Sequence, residues 1–274
     1  MTPLLAVSGL RIAIGDRELC RDLDLTVRPG ERWAVLGRNG AGKSTLLHHI
    51  AGLRRAHRGV IRVGDAPLDA LSPRARAGRI ALLLQHSSRG VGANVWETVM
   101  TGRYPTLTPL QRESEQDAAI VQSALEKLDL VALSNRPLDA LSGGELRRVE
   151  LARLLTQQAP LNLLDEPLNH LDPAYQVHCL GQVLEDCVTA ERAVMIVAHD
   201  LNLAYQACEN WLVIHGDGSW ERGAREVIAD PERLSDLFGH RIERFESHGR
   251  VIFSSPFVRP ARHRANAKTT APRA

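Results

Sequence analysis

The chain has 274 residues, of which 44% are hydrophobic and 24% are charged, and this balance is typical of a globular protein rather than a disordered or fibrous one. No stretch approaches the roughly 18 uninterrupted apolar residues that a membrane-spanning helix requires, so we expect no such helix. The net charge of +2 is too small to indicate nucleic-acid binding, and we predict no nucleic-acid partner.

The amino terminus and the cysteines both favour a cytosolic protein. Residues 1–10 contain no basic segment followed by an apolar stretch and a small-residue cleavage site. The cysteines form no C-x-x-C pair, and we interpret them as reduced packing residues. A zinc site that uses His178 beside Cys179 would need ligand spacings that are absent. The four cysteines are Cys20, Cys179, Cys187 and Cys208.

In chain order, short apolar stretches alternate with segments of helical spacing, and this alternation predicts an α/β chain with a sheet flanked by helices. The first two strands are separated by the turn-like Gly15-Asp16 and should pair antiparallel. A helix is predicted at residues 43–51, directly after a glycine-rich loop. The predicted strands are residues 10–14, 23–27, 33–36, 60–63, 80–84, 161–164 and 194–198.

The pattern changes between about residues 86 and 159, where apolar residues recur at helical spacing and predict an inserted helical subdomain. These apolar residues are Val95, Val99, Ile120, Leu125 and Leu128. Residues 259–274 are basic and poor in apolar side chains, so we expect a disordered tail that is solvated rather than bound to lipid or nucleic acid.

The strongest chemical signal is a glycine-rich segment between a predicted strand and a predicted helix. Residues 37–45 fit G-x-x-x-x-G-K-[ST], and the glycines let N–H groups point at anionic oxygens beside the positive end of the helix dipole. Lys43 supplies a charge for the β and γ phosphates, and Ser44 offers a hydroxyl to Mg²⁺. The predicted ATP-binding residues of this loop are Gly37, Arg38, Asn39, Gly40, Ala41, Gly42, Lys43, Ser44 and Thr45.

A pair of carboxylates is expected at the end of the strand at residues 161–164. Asp165 should hold Mg²⁺, directly or through water, and Glu166 is placed to polarise an attacking water. Without the glycine-rich loop, the same pair would be interpreted as solvated acids at a strand end.

Residues 141–153 read LSGGELRRVELAR and resemble the signature helix of the ATP-binding cassette (ABC) family. Ser142, Gly143 and Gly144 open a helix and present N–H groups and a hydroxyl to an anion. In that family the anion is the γ-phosphate held by a partner subunit, so the resemblance implies a head-to-tail dimer that encloses two ATP molecules. Glu145 stands where the family usually has Gln, which keeps a hydrogen-bonding side chain but adds charge near ATP.

The resemblance covers roughly residues 4–245 and assigns further residues. Gln85 is the Q-loop residue, expected to contact nucleotide and Mg²⁺, and residues 169–172 (NHLD) are the D-loop. The resemblance makes His199 the switch histidine, and its place after a strand would let the imidazole reach the γ-phosphate and sense hydrolysis. The catalytic residues implied are Lys43, Glu166 and His199, and the Mg²⁺ ligands implied are Ser44, Gln85 and Asp165.

The resemblance also implies the fold: an α/β, RecA-like P-loop NTPase core with an antiparallel β subdomain and an inserted α-helical subdomain, in one domain over residues 1–258. Members of the family often stack adenine on an aromatic residue near Ile14, but this chain has aliphatic Ile12, Ala13 and Ile14 there. This departure leaves Ile14 as the expected contact with the base and predicts weaker base recognition.

Within the family, residues 98–105 (TVMTGRYP) resemble the segment after the Q-loop in importers of iron-siderophores, haem and cobalamin. Residues 169–172 and 199–204 resemble the same group. The residues that favour a cobalamin importer within it are Trp33, 82–85 and 216–218.

The resemblance implies partners as well. ATP binding would close the dimer, the helical subdomain would pull on a cytoplasmic helix of a separate membrane permease, and a substrate-binding protein would complete the importer. The chain would then lie at the cytoplasmic face of the inner membrane. Three alternatives remain at this point: a soluble ABC ATPase of translation or DNA repair, a P-loop kinase, and the ATPase half of an exporter.

Overall fold

The computed structural model describes residues 2–85, 92–108 and 111–256. The predicted basic tail at residues 259–274 lies outside the described residues, as does the start of the predicted helical subdomain at residues 86–91.

The described strands and helices alternate along most of the chain, as an α/β fold requires. The strands are β1 (Leu5–Ile14), β2 (Arg17–Val27), β3 (Arg32–Leu36), β4 (Arg58–Val63), β5 (Ala66–Pro67), β6 (Ile80–Leu83), β7 (Leu161–Asp165), β8 (Ala193–Val197), β9 (Asn210–Ile214), β10 (Trp220–Ala224), β11 (Glu243–Ser247) and β12 (Arg250–Ser254). The helices are α1 (Lys43–Ile50), α2 (Pro73–Ala77), α3 (Val95–Met100), α4 (Glu115–Lys127), α5 (Gly143–Gln157), α6 (Pro173–Cys187), α7 (Leu201–Ala207), α8 (Arg225–Ile228) and α9 (Pro231–Phe238). Short 3-10 turns lie at Leu68–Ala70, Thr101–Arg103, Val131–Leu133 and Leu138–Ala140.

The larger sheet has the strand order β10-β9-β3-β8-β7-β6 and is parallel except for β10, which pairs antiparallel with β9. Every residue of β7 and of β8 is buried. Strands that are buried along their whole length suit a parallel sheet that is covered on both faces. In such sheets ligands bind outside the carboxyl ends of the strands, so the residues that follow β3, β6, β7 and β8 are placed at one edge.

The smaller sheet is antiparallel, with the order β2-β1-β4-β5. Its first strand alternates buried and exposed residues, since one face packs on the core and the other meets water. Its buried face joins the core beneath α1, where Leu46, Leu47 and Ile50 have no exposed surface. The sequence prediction of antiparallel strands joined at Gly15-Asp16 is confirmed.

The helices α3, α4 and α5 pack against one another between β6 and β7 in the sequence. Val95, Val99, Leu125 and Leu128, four of the residues whose spacing predicted helices, are fully buried among them. None of the described helices is both long and apolar enough to cross a membrane.

A carboxyl-terminal hairpin of β11 and β12, which the sequence patterns did not predict, packs on α7. The Asn202 side chain holds it, because its amide donates to the Phe253 carbonyl (3.1 Å) and its oxygen accepts from the Phe253 N–H (2.7 Å). The hairpin is short and mostly exposed, so its sequence has little of the apolar alternation that marks a half-buried strand.

Candidate functional site

The glycine-rich loop connects the end of β3 to the start of α1 and is tightly packed. Gly37 has a φ of +150°, and a Cβ there would lie 2.3 Å from the carbonyl oxygen of Ile214. At Gly42, with a φ of +107°, a Cβ would lie 2.9 Å from the Leu19 side chain. Since α1 has Gly42 as its N-cap, without a side-chain cap or an acidic residue in its first turn, its N–H groups are left to an anion.

Lys43 is the charged group of this loop and is only 5% exposed. Its ammonium donates to the carbonyl oxygens of Gly37 (2.9 Å) and Arg38 (3.1 Å), so the charge lies against the loop. Burial lowers the pKa of Lys43, and the carboxylates of Glu166 and Asp165 act in the opposite direction. The two predicted acids therefore share one electrostatic environment with the lysine.

Asp165 ends β7 and is buried, with one carboxylate oxygen, Oδ1, that has no hydrogen-bond partner within the described ranges. Burial raises the pKa of Asp165, and the nearby Ser44 hydroxyl partly offsets this rise. A buried, unpartnered carboxylate oxygen beside a hydroxyl is a donor set that suits Mg²⁺. The residues present therefore fit the metal that the sequence predicted.

Glu166 lies immediately after β7, with a φ of +49°, a left-handed backbone that residues other than glycine rarely adopt. Its carboxylate accepts hydrogen bonds from Gln85 (2.9 Å), Asn169 and His199. Burial by itself raises the pKa of Glu166, but the hydrogen bonds from His199, Asn169 and Gln85 outweigh it and hold the pKa below its ordinary value. The carboxylate is thus ionised, and its donors come from three separate segments.

A cleft of about 560 Å³ joins these groups. Its lining includes Lys43 and Ser44 at the start of α1, together with Gln85, Glu166 and His199. Six residues that the sequence singled out for phosphate, Mg²⁺ or catalysis therefore come together here, since Asp165 lies beside Ser44.

The cleft is also lined by Ile14, Arg17 and Leu19 of β1 and β2. Ile14 is 51% exposed, so a ligand can reach it. Sequence reasoning missed Arg17 and Leu19, although both lie within five residues of the position where the family places its aromatic. The Arg17 Nε donates to the carbonyl of Gly216 (3.1 Å), which holds the guanidinium at the edge of the glycine-rich loop.

The signature residues 142–145 are not among those that line this cleft in the described chain. Ser142 caps α5: its hydroxyl accepts from the Glu145 N–H (3.2 Å), and the Glu145 carboxylate accepts from the Ser142 N–H (2.7 Å). The bond from the Ser142 N–H is the main cause of a pKa for Glu145 below its ordinary value. Ser142 and Gly143 are exposed, and Gly144 lies against the His170 backbone of the D-loop.

Comparison with known proteins identifies the family to which this arrangement belongs. The sequence pattern of the ABC transporter family matches residues 20–169, more than half of the chain. The chain belongs to the ABC transporter family. It is therefore an ATPase that binds ATP, and the fold predicted from the signature and the glycine-rich loop is confirmed.

Individual relatives of this ABC ATPase extend the match. A hemin import ATP-binding protein of Pseudomonas fluorescens is 39% identical over 86% of the chain and 92% of its own length. A cobalamin import ATP-binding protein of Halobacterium salinarum is 34% identical over 87% of the chain and 59% of its own length. The solved structure of a putative metal-chelate type ABC transporter in an inward-facing conformation superimposes with a TM-score of 0.79 at 25% identity, covering 94% of the chain and 98% of that structure's chain.

Proposed function

We propose that this chain is the ATP-hydrolysing subunit of an importer and that it powers the uptake of a metal-chelate compound through a separate permease. The observation that carries the proposal is the convergence of Lys43, Glu166 and His199 in one cleft, in a chain whose relatives are import ATP-binding proteins.

The roles of the cleft residues follow from their positions. Lys43 neutralises the β and γ phosphates, and Ser44, Gln85 and Asp165 would hold Mg²⁺, which neutralises further phosphate charge. Glu166 polarises the attacking water, which its carboxylate can accept beside its three present donors because the two oxygens offer about four acceptor sites. His199, whose Nε2 contacts that carboxylate, is placed to report whether the γ-phosphate is bound.

A second copy of the chain completes the site. Residues 142–145 begin a 15-residue helix and expose a hydroxyl and N–H groups to solvent, away from the cleft of their own chain. A helix amino terminus of this kind favours an anion. A head-to-tail dimer brings it to the γ-phosphate held by the partner copy.

A groove on the helical region offers a place for the permease. It has a volume of about 480 Å³ and combines apolar Trp96, Met100 and Tyr104 with the acidic side chains of Glu113 and Glu115. Tyr104 is 52% exposed. This chemistry fits an amphipathic helix of a membrane protein that carries basic residues on its polar face. A substrate-binding protein then acts only through the permease.

The cargo is a metal chelate. The haem-import relative shares 39% identity with this chain and the cobalamin-import relative shares 34%. This difference favours haem as the cargo, whereas the local sequence features favoured cobalamin. No residue of this chain contacts the cargo in such a design, so similarity alone supports the choice.

Deletion of the gene tests the proposal. We expect the deletion strain to lose growth when haem is the sole iron source and to keep growth on inorganic iron, and growth dependent on cobalamin or on a siderophore is measured alongside. The wild-type gene should restore growth, and a Glu166→Gln gene should not. Unimpaired growth on all three chelates would overturn the importer function.

The permease groove is tested in the same strain. Tyr104→Arg should abolish growth on haem while the purified chain keeps its basal ATPase rate, because the groove lies outside the cleft. Val131→Arg places the same charge at another exposed apolar position of the helical region and should leave growth intact. If the Tyr104→Arg strain grew on haem as well as the Val131→Arg strain does, this groove would be excluded as the docking place.

A further inference from the structure

Arg147 lies on α5, in the helix that follows the signature residues, and its side chain is only 4% exposed. A guanidinium has five N–H donors, and all five are used here. They donate to the carbonyl oxygens of Leu84 (2.8 Å), Asp165 (2.9 Å), Glu166 (2.8 Å) and Pro167 (2.9 Å) and to the carboxylate of Glu150 (2.7 Å).

Four of these acceptors are backbone carbonyls in the two segments that carry Gln85 and Glu166. Leu84 directly precedes Gln85, and the other three carbonyls belong to the consecutive residues 165–167 at the end of β7. One side chain therefore connects α5 to both segments that carry the Gln85 and Glu166 side chains. None of these five bonds goes to the side chain of Gln85 or Glu166.

The contact with Glu166 occurs where the backbone is strained. A non-glycine residue with a φ of +49° costs free energy and persists only where its surroundings hold it. Three bonds hold it here: the Glu166 N–H donates to the Val197 carbonyl (3.2 Å), and the Glu166 carbonyl accepts from Arg147 Nη2 (2.8 Å) and from the Asn169 N–H (3.3 Å). This backbone conformation is what directs the carboxylate toward Gln85, Asn169 and His199.

The charge of Arg147 is balanced by Glu150, one turn along α5 and also buried. A lysine at position 147 could keep this ion pair. It has three donors instead of five and lacks the planar fork, so at least two of the acceptors would be lost.

We propose that Arg147 is a positioning residue for ATP hydrolysis: it fixes the backbone of Glu166, and hence its carboxylate, and makes that position depend on the placement of the signature helix. A displacement of α5 by a ligand bound at residues 142–144 shifts the guanidinium and the four carbonyls together. This inference rests on the proposed role of Glu166 as the group that polarises water.

Arg148 provides a matched control for a purely structural role. It is the next residue on the same helix, 8% exposed, and donates to the carbonyl oxygens of Leu128 (2.8 Å) and Asp129 (2.9 Å). Its guanidinium also lies 4.4 Å from the ring centroid of Tyr175. It is thus a buried arginine that bonds to backbone, with none of these contacts in the cleft.

The experiment compares Arg147→Lys with Arg148→Lys in the full-length chain. Tm, ATP affinity and ATPase kinetics are measured, and kcat is normalised to nucleotide sites titrated with a fluorescent ATP analogue. We expect both variants to lose Tm, and only Arg147→Lys to lose kcat per site, by about 10- to 100-fold, since a misplaced catalytic group costs on this order. KM should change by less than about threefold, since the phosphate loop is untouched. A normalised kcat for Arg147→Lys within about twofold of wild type overturns the inference.

A double-mutant cycle tests whether Arg147 acts through Glu166. In the Glu166→Gln background, Arg147→Lys should lower the residual turnover no further, because the group that it positions is already gone. An undiminished loss in that background would show that Arg147 acts by another route and would overturn the inference.

Should Arg147→Lys fail to fold, Arg147→Gln combined with Glu150→Gln removes both buried charges and keeps two N–H donors at position 147 for the backbone carbonyls. The same loss of kcat per site is expected, and an unchanged value overturns the inference. A wild-type chain that binds ATP but never hydrolyses it would overturn the proposed function together with this inference. A wild-type chain that turns over normally, with an unaffected Arg147 variant, would overturn the inference alone.

Discussion

We propose that ATP is enclosed between the cleft and the signature residues 142–145. These two regions differ in how many of their polar groups already have hydrogen-bond partners within the chain. On the cleft side, Lys43 is buried against two carbonyls and the Glu166 carboxylate accepts three hydrogen bonds. On the signature side, Ser142 is exposed and its side chain bonds only within its own capping box among the described residues. The first region is organised by the core before any ligand arrives, whereas the second is a surface whose ligand comes from outside.

This difference has a physical cause. The cleft groups follow strands of one parallel sheet, so the core determines their separations. The signature residues begin a helix, where the only local requirement is a cap for the first turn. Changes in the cleft should therefore alter chemistry within one chain, and changes in the signature should alter association between chains.

The largest effect is expected for Glu166→Gln. Loss of the carboxylate should lower kcat by about 100-fold or more while ATP still binds, because the amide cannot accept a proton from water. The variant should accumulate as an ATP-bound dimer, which size-exclusion chromatography with light scattering detects. Glu185→Gln, an exposed change on α6, is the control and should behave as wild type. Normal turnover by Glu166→Gln would contradict the assigned role.

The same substitution, glycine to alanine, can be made in the cleft (Gly37→Ala) and in the signature (Gly143→Ala), and its effects in the two regions should differ. At Gly37 the new Cβ would lie 2.3 Å from the Ile214 carbonyl, so we expect a loss of about 2 kcal/mol in stability and at least about tenfold in ATP affinity. At Gly143 the nearest atom is the His170 Cβ at 3.8 Å, and alanine is a better helix former than glycine.

Gly143→Ala should therefore keep the stability and the ATP affinity of the isolated chain and weaken only the dimer, measured in the Glu166→Gln background. Isothermal titration and light scattering distinguish the two effects. Equal losses of ATP affinity in both variants would show that the two regions are not separate.

The helical region that carries the signature contains a buried ion pair, Arg103–Asp117, at 2.9 Å. Hydrogen bonds from Ser114 and then from Arg103 lower the pKa of Asp117 to about 2. Because the folded-state pKa lies below the ordinary value of 3.8, the ionised group stabilises the fold above that value and loses this contribution as the pH falls toward 2.

We expect Asp117→Asn to cost about 1.5–3 kcal/mol at neutral pH, since a buried charge then loses its partner. The difference from wild type in urea unfolding should stay constant above about pH 5 and shrink below about pH 4. Asp236→Asn, at an exposed position of α9, is the control and should show a small effect at every pH. A difference that grows on acidification would contradict the assigned direction of the pKa shift.

The smallest effect is expected at the base end of the cleft. Ile14→Tyr restores an aromatic surface at an exposed position, and stacking on adenine should tighten ATP binding by about fivefold, or about 1 kcal/mol. Val60→Tyr adds the same side chain at an exposed position of β4 and should leave the affinity unchanged. Unaltered affinity in Ile14→Tyr would mean that the base does not contact this residue.

Much of the fold could be predicted because its signals are local. Every predicted strand from residues 10–14 to 194–198 lies within or beside a strand of the structure, since apolar runs and turn residues act over short distances. The hairpin at the carboxyl end escaped prediction because its side chains are mostly exposed and its attachment to α7 through Asn202 is a tertiary contact.

By itself the sequence determined which groups are available: a glycine loop whose spacing suits phosphate, a lysine, two adjacent acids and a helix that begins with Ser-Gly-Gly. Only the tertiary structure decided how they meet. Gln85 and Glu166 are 81 positions apart and Glu166 and His199 are 33 apart, yet the three side chains are joined by hydrogen bonds because their strands are neighbours in one parallel sheet. The five bonds of Arg147 depend on the same assembly, since a buried guanidinium takes acceptors from whichever segments the fold brings within reach.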